Sequence, residues 1–150
     1  MNQLRELLGS HLSIRASAAE VRQASAWMRQ WCEEAGVPVA SVESLDLCLN
    51  EAVANVITHG GPGAAEEPIR LTLELHRGTA QAEINLTVED SGIAFDPRKA
   101  ATLPRPSSLQ LAEPGGLGIA MMTKAAKRLD YQRNDGRNAL TITVQWTKDQ

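Results

Sequence analysis

A charge excess of either sign is missing from this sequence. Its 150 residues hold 15 Lys+Arg against 18 Asp+Glu, a formal net charge of −3 at pH 7. So slight an acidic balance gives no general attraction for phosphate backbones or anionic lipid, so the expectation is no direct nucleic acid and no membrane among its partners. Long apolar runs are missing too, and none approaches the ~18 residues needed to span a bilayer. Cysteine is scarce. Cys32 and Cys48 are the only two, both in amphipathic helical patterns. Without a signal peptide they read as reduced core thiols of a cytoplasmic protein, and a disulfide is not expected. Internal repeats and linkers are absent as well. What remains, 43% hydrophobic and 22% charged, is ordinary for a soluble globular chain. The length suits one domain over residues 1–150, large enough to bury a core without staples.

Leu4, Leu7 and Leu8 open the chain as either a short helix or a strand, and "HLSIR" (11–15) alternates like a strand. Ser17 followed by Glu20 is a capping-box pair, and Val21, Ala24, Met28, Trp31 and Ala35 continue at helical spacing. Gly36 closes that helix and Pro38 prevents its continuation. Ser41 opens a second helix that runs to Gly60–Gly61, before the turn-rich "GPGAAEEP". "IRLTLELHR" and "AEINLTVED" alternate strictly and read as a hairpin joined near Gly78. From Asp96 to Gly116 the chain holds four prolines and no periodicity. A loop of that length reads as a functional lid, about residues 97–114, expected to order when ligand binds. A third helix starts near Gly118, and Asn134-Asp135-Gly136 joins a last hairpin. That order predicts a mostly antiparallel sheet with helices on one face.

One row within the second helix is out of keeping with burial. Glu51, Asn55 and His59 stand four residues apart, hence along nearly one line of the helix surface, beside an apolar face expected to hold Leu45, Leu49, Ala52, Val53, Val56 and Ile57. Either the row is solvated or it faces something polar that the chain itself does not supply. Asp90 sits at a strand tip before Gly92, where a buried carboxylate needs a hydrogen-bonding partner. Gly115, Gly116 and Gly118 open a helix, where bare N–H groups attract anions and glycine admits a close approach. Neither common phosphate loop fits: there is no G-x-x-x-x-G-K-[ST], and the glycines follow a proline-rich loop where a dinucleotide fingerprint needs a strand.

Each motif alone is weak; their order is specific. A helix with Glu-x-x-x-Asn-x-x-x-His-Gly comes first, then a strand ending Asp-x-Gly, a lid, and Gly-Gly-x-Gly opening a helix. This combination resembles the Bergerat-fold (GHKL, histidine-kinase-like) ATPases. More closely, it resembles the anti-sigma-factor serine/threonine kinases of bacterial partner-switching systems. "DSGIAFDP", "PGGLGIAMM" and "YQRNDGRNALTI" carry the likeness, which runs over residues 11 to 146.

The resemblance implies an α/β fold, an α+β two-layer sandwich whose mixed, mostly antiparallel sheet has about three helices on one face. It implies ATP with Mg2+. Glu51 would be the catalytic general base, and Asn55 would help bind ATP and hold the metal. Asp90 would receive the adenine amino group with Gly92 against the base, and Gly115, Gly116 and Gly118 would bind phosphates. Any adenine-side contact from the last strand would come from Asn138 or Thr141. His59 would serve local hydrogen bonding at the helix end. Ala94 departs from the family, replacing the second glycine of Asp-x-Gly-x-Gly. The implied function is an ATP-dependent kinase and anti-sigma factor whose partners are an anti-sigma-factor antagonist, phosphorylated on Ser/Thr, and a sigma factor. A homodimer is also expected, with Trp27, Leu7 and Leu8 as off-stripe apolar groups. The competing reading is an ATP-binding docking module without phosphotransfer, which would have no need of Glu51 as a base. A histidine-kinase fragment would need a phosphoacceptor helix, which this chain lacks.

Overall fold

Proline, glycine and serine decide where the helices begin and end. In the structure, a computed structural model describing residues 6–100 and 116–148, the first helix α1 (Ala18–Ala35) is capped by Ser17. The Ser17 hydroxyl accepts from the Glu20 N–H at 3.4 Å. Glu20 reaches back further than a capping box requires, accepting from the Arg15 N–H at 2.8 Å. Gly36 ends the helix, its N–H bonding the Cys32 and Glu33 carbonyls. The second helix, α2 (Val39–His59), starts ahead of the expected Ser41. Pro38 has no N–H to place inside a helix, but its carbonyl accepts from the Val42 N–H at 3.0 Å. The helix therefore begins directly behind it, and Ser41 is buried in the first turn.

Five strands form one sheet: β1 (Glu6–Ile14), β2 (Ile69–Arg77), β3 (Gln81–Asp90), β4 (Arg128–Asn134) and β5 (Arg137–Thr147). Their order is β1-β2-β3-β5-β4, and every pairing is antiparallel, the pure form of the expected arrangement. The ambiguous opening is a strand, with Leu8 opposite Leu75 and Leu12 opposite Leu71. The last hairpin turns through Asp135 and Gly136 at φ 52° and 76°, between the paired Asn134 and Arg137. Two positive φ values in a two-residue loop match the twist of the flanking strands.

α1 and α2 pack on each other, α2 crosses β3 and β5, and the helix α4 (Gly116–Ala125) lies against α2. The core between these layers holds Leu45, Leu49 and Val53 from α2 with Leu73, Ile84 and Ile142 from the sheet, all at 0% exposure. Burying such a side chain contributes about 1.5–3 kcal/mol. Trp27 belongs to this packing. It lies half-buried against the core, and its Nε1 donates to Ser10 Oγ at 3.2 Å. The small Ser10 on β1 leaves room for the indole, so Trp27 completes the monomer's own interior and is no evidence for a dimer surface. Leu8 is 38% exposed. Cys32 and Cys48 are free and buried, and burial pushes both thiols up to about 12. Among the described residues no helix is long and apolar enough to cross a membrane.

The other face of the sheet is polar. Thr87 and Thr141 meet across β3 and β5 at 3.1 Å, and Thr143 Oγ1 donates to Asn85 at 2.6 Å. Of the expected lid, a single turn, α3 (Pro97–Ala100), is described; residues 101–115 and the expected ordering lie outside the described residues.

Candidate functional site

The apolar side of α2, with Ala52, Val53 and Val56 buried and Ile57, against expectation, 44% exposed, seats the helix on the sheet and sets Asn55 beside the ends of β3 and β5. Asn55 is 5% exposed, and its Nδ2 has no hydrogen-bond partner among the described residues. An unpaired buried donor costs about 1–3 kcal/mol, so this position calls for a polar ligand. Glu51 is half-buried one turn earlier. A Cβ built on Gly118 would lie 1.8 Å from Glu51 Oε2, so the first turn of α4 passes directly over this carboxylate and a side chain there would displace it. His59 ends the row stacked on Phe95, ring centroids 4.4 Å apart and planes 13° from parallel. Its local partner is a ring, where the sequence pointed to a hydrogen bond.

Asp90 ends β3 at 6% exposure, and its Oδ1 accepts from the Gly92 N–H at 2.8 Å and from Asn138 Nδ2 at 3.0 Å. Gly92 presses on the end of α2. A Cβ there would come within 2.7 Å of the Gly60 Cα and carbonyl oxygen. The next N–H, from Ile93, donates to that same carbonyl at 2.9 Å. Helix end and Asp-x-Gly turn are thus joined backbone to backbone. Ala94 is exposed and lies outside the positive-φ region, so the missing second glycine is not needed for the turn.

Asn55, Asp90, Phe95, Tyr131, Asn138 and Leu140 line a cavity of about 30 Å³ that opens to solvent. The structure brings Asn55, Asp90 and Asn138 together, with Gly92 holding the turn beneath them. Glu51 stands beside Gly118 rather than in the lining, and Gly116 begins α4. Gly115 lies outside the described residues. Thr141 is not brought in. The period of two that points Asn138 and Leu140 toward α2 turns Thr141 to the opposite face, against Thr87. Beside the cavity, Asp96 is held below the ordinary carboxylate value. Burial works to raise it, and the bonds from the Arg98 guanidinium, down to 2.9 Å, together with the Arg98 N–H outweigh that.

Residues 14–144 match the family model of the histidine kinase-like ATPase domain. The chain belongs to this family. Among curated proteins it is similar to serine/threonine-protein kinase BtrW of Bordetella bronchiseptica, 39% identical over 100 residues, 67% of this chain and 68% of that one. Among solved structures it resembles the RsbU and RsbW domains of a Mycobacterium tuberculosis protein, TM-score 0.67 at 18% identity, over 94% of this chain and 33% of that chain. That likeness concerns the fold. The SiaB–SiaC complex of Pseudomonas aeruginosa also matches, at TM-score 0.49 and 12% identity, over 91% of this chain and 89% of that one.

The site of this histidine kinase-like ATPase domain also holds residues that the sequence pattern did not single out. Tyr131 lines the cavity and bonds Asn138 Oδ1 through its hydroxyl. Arg133 donates to the Gly92 carbonyl at 2.7 Å and to Asn138 Oδ1 at 3.0 Å. The signal was present in the hairpin itself. A two-residue turn at Asp135-Gly136 pairs Arg133 with Asn138, and alternation along β4 puts Tyr131 and Arg133 on one face.

Proposed function

We propose that the chain is an ATP-dependent serine/threonine protein kinase and anti-sigma factor that phosphorylates an anti-sigma-factor antagonist. The observation that carries a ligand at this site is the buried Asn55 Nδ2, without a partner among the described residues, in a cavity lined on its other side by Asp90. The kinase class is supported by the identity to a protein named as a serine/threonine kinase. Asp90 is an acceptor suited to an adenine amino group. The Asn55 amide offers an oxygen and a nitrogen of nearly the same shape, so turning it over presents Oδ1 to a cation. The described residues contain no group of three His, Cys, Asp or Glu side chains that could hold a metal. Asn55 would hold Mg2+ together with the nucleotide phosphates. The metal would neutralise charge on the phosphates; the remaining work falls to the protein.

That work is chiefly positioning. The Ser or Thr hydroxyl of the antagonist attacks the terminal phosphorus, its proton passes to the Glu51 carboxylate, and ADP leaves. Gly118, in the first turn of α4, lies next to Glu51, and with Gly116 and Gly115 before it would offer bare backbone to the phosphates. Phosphorylation of the antagonist would release the kinase to hold a sigma factor. The domain works in the cytoplasm as one unit over residues 1–150. Pairing with a second copy rests on the family likeness, and Leu8, exposed on β1, supports it. The test is incubation with γ-labelled ATP and a candidate antagonist. Label on a Ser or Thr of the antagonist is expected; tight ATP binding with no label on any candidate would favour the docking module.

A further inference from the structure

Asn138 has two acceptor lone pairs on Oδ1 and two donor hydrogens on Nδ2. All four are engaged within the protein. Oδ1 takes the Tyr131 hydroxyl and Arg133 Nη1 at 3.0 Å. Nδ2 gives to Asp90 Oδ1 at 3.0 Å and to the Ile93 carbonyl at 2.9 Å. At 5% exposure the amide has no capacity left for a ligand. Guanidinium groups only donate, so the atom Arg133 touches has to be the oxygen. That fixes which way the amide faces, and it turns the NH2 toward two acceptors.

The consequence passes to Asp90. Its Oδ1 is filled by Asn138 Nδ2 and the Gly92 N–H, which hold the carboxylate on one side and leave Oδ2 as the oxygen for the cavity. We infer that Asn138, Tyr131 and Arg133 are positioning residues that set base specificity, making the cavity prefer a 6-aminopurine over a 6-oxopurine nucleotide. The inference rests on the nucleotide reading above. A carboxylate oxygen pairs with an amino donor, whereas a 6-oxo group brings lone pairs against it. Without Arg133 the amide oxygen keeps only the Tyr131 hydroxyl, so the amide is held less firmly and Asp90 loses part of its fixed orientation.

The experiment measures affinities of ATP and ITP, which differ in the 6-position group, by calorimetry on the full chain and on Arg133→Met and Tyr131→Phe. Tyr131→Phe deletes one oxygen from a half-buried ring, so folding is retained. In the wild type, ATP should bind more tightly than ITP. In Arg133→Met the ATP-to-ITP affinity ratio should fall about tenfold, with ITP affinity unchanged, as expected for one buried donor–acceptor pair lost. Tyr131→Phe should lower the ratio by a smaller factor, and Arg133→Lys, which keeps a cationic donor, should restore part of it. Equal loss of both nucleotides in the variants, or an unchanged ratio, overturns the positioning role. A wild type that binds neither nucleotide overturns the nucleotide reading and this inference together.

Discussion

Asn55 and Asn138 face the same cavity, are buried to the same 5% exposure, and stand in opposite states. Asn138 has every hydrogen-bonding valence filled by Tyr131, Arg133, Asp90 and Ile93. Asn55 keeps an amide nitrogen with no partner among the described residues. Burial alone therefore does not distinguish a group held for a ligand from one that is part of the frame. Satisfaction does. The α2 wall carries the unspent polar group and, one turn away, Glu51; the wall made by β3, β4 and β5 is a closed network that presents a single carboxylate.

The sharpest division between the walls is chemical. Glu51→Gln keeps the shape and loses only the ability to take a proton. Phosphate transfer to the antagonist should drop by about 10²–10⁴ while ATP affinity changes little. Single-turnover transfer at the normal rate would remove Glu51 from catalysis. The opposite wall should fail in binding: Asp90→Ala strands a buried amino donor and should weaken ATP by about ten- to a hundredfold. Titration calorimetry that finds wild-type affinity would end the assignment of Asp90 to the base.

The two asparagines should differ in the sign of their effect on stability. Asn138→Ala breaks a satisfied network and should destabilise the free protein by about 1–3 kcal/mol. Asn55→Ala removes an unpaired amide, so urea unfolding of the free protein should show it neutral or stabilised, while its ATP affinity with Mg2+ falls. Equal destabilisation by both would erase the contrast.

The smallest effect concerns pH. Burial raises the Asp96 carboxyl, but the hydrogen bonds and charge of Arg98 outweigh it, so its folded value lies below 3.8. The stability it contributes is fully present above 3.8 and lost as pH falls through the lower folded value. Asp96→Asn should flatten the dependence of unfolding free energy on pH in that acid window and leave it unaltered near neutrality.

The legible parts of this chain were those written in local chemistry. Alternation gave β2 and β3, Asp135-Gly136 gave the last turn, and Gly36 gave the end of α1. The helical period placed Glu51 and Asn55 on one line, and the Asp-x-Gly turn located Asp90. Thr141 does not reach the cavity because alternation along β5 turns it to the face opposite Asn138. Tyr131 and Arg133 escaped because their importance lies in what they bond across the hairpin, which composition does not show. Trp27 lies off the apolar stripe of α1, which leaves surface and core both open, and the acceptor that settles it, Ser10, stands on a different element.

The contact between Gly60 and Gly92 has a consequence for how the sequence can drift. A Cβ at 60 would meet the Ala64 Cβ and the Val56 carbonyl oxygen, each at 2.5 Å, and a Cβ at 92 would meet Gly60 itself at 2.7 Å. The obstacles at 92 are backbone atoms, which no second substitution can shrink. A randomised library selected only for folding should return glycine at both positions and a free choice at 94, so two distant letters behave as one invariant mark of the fold.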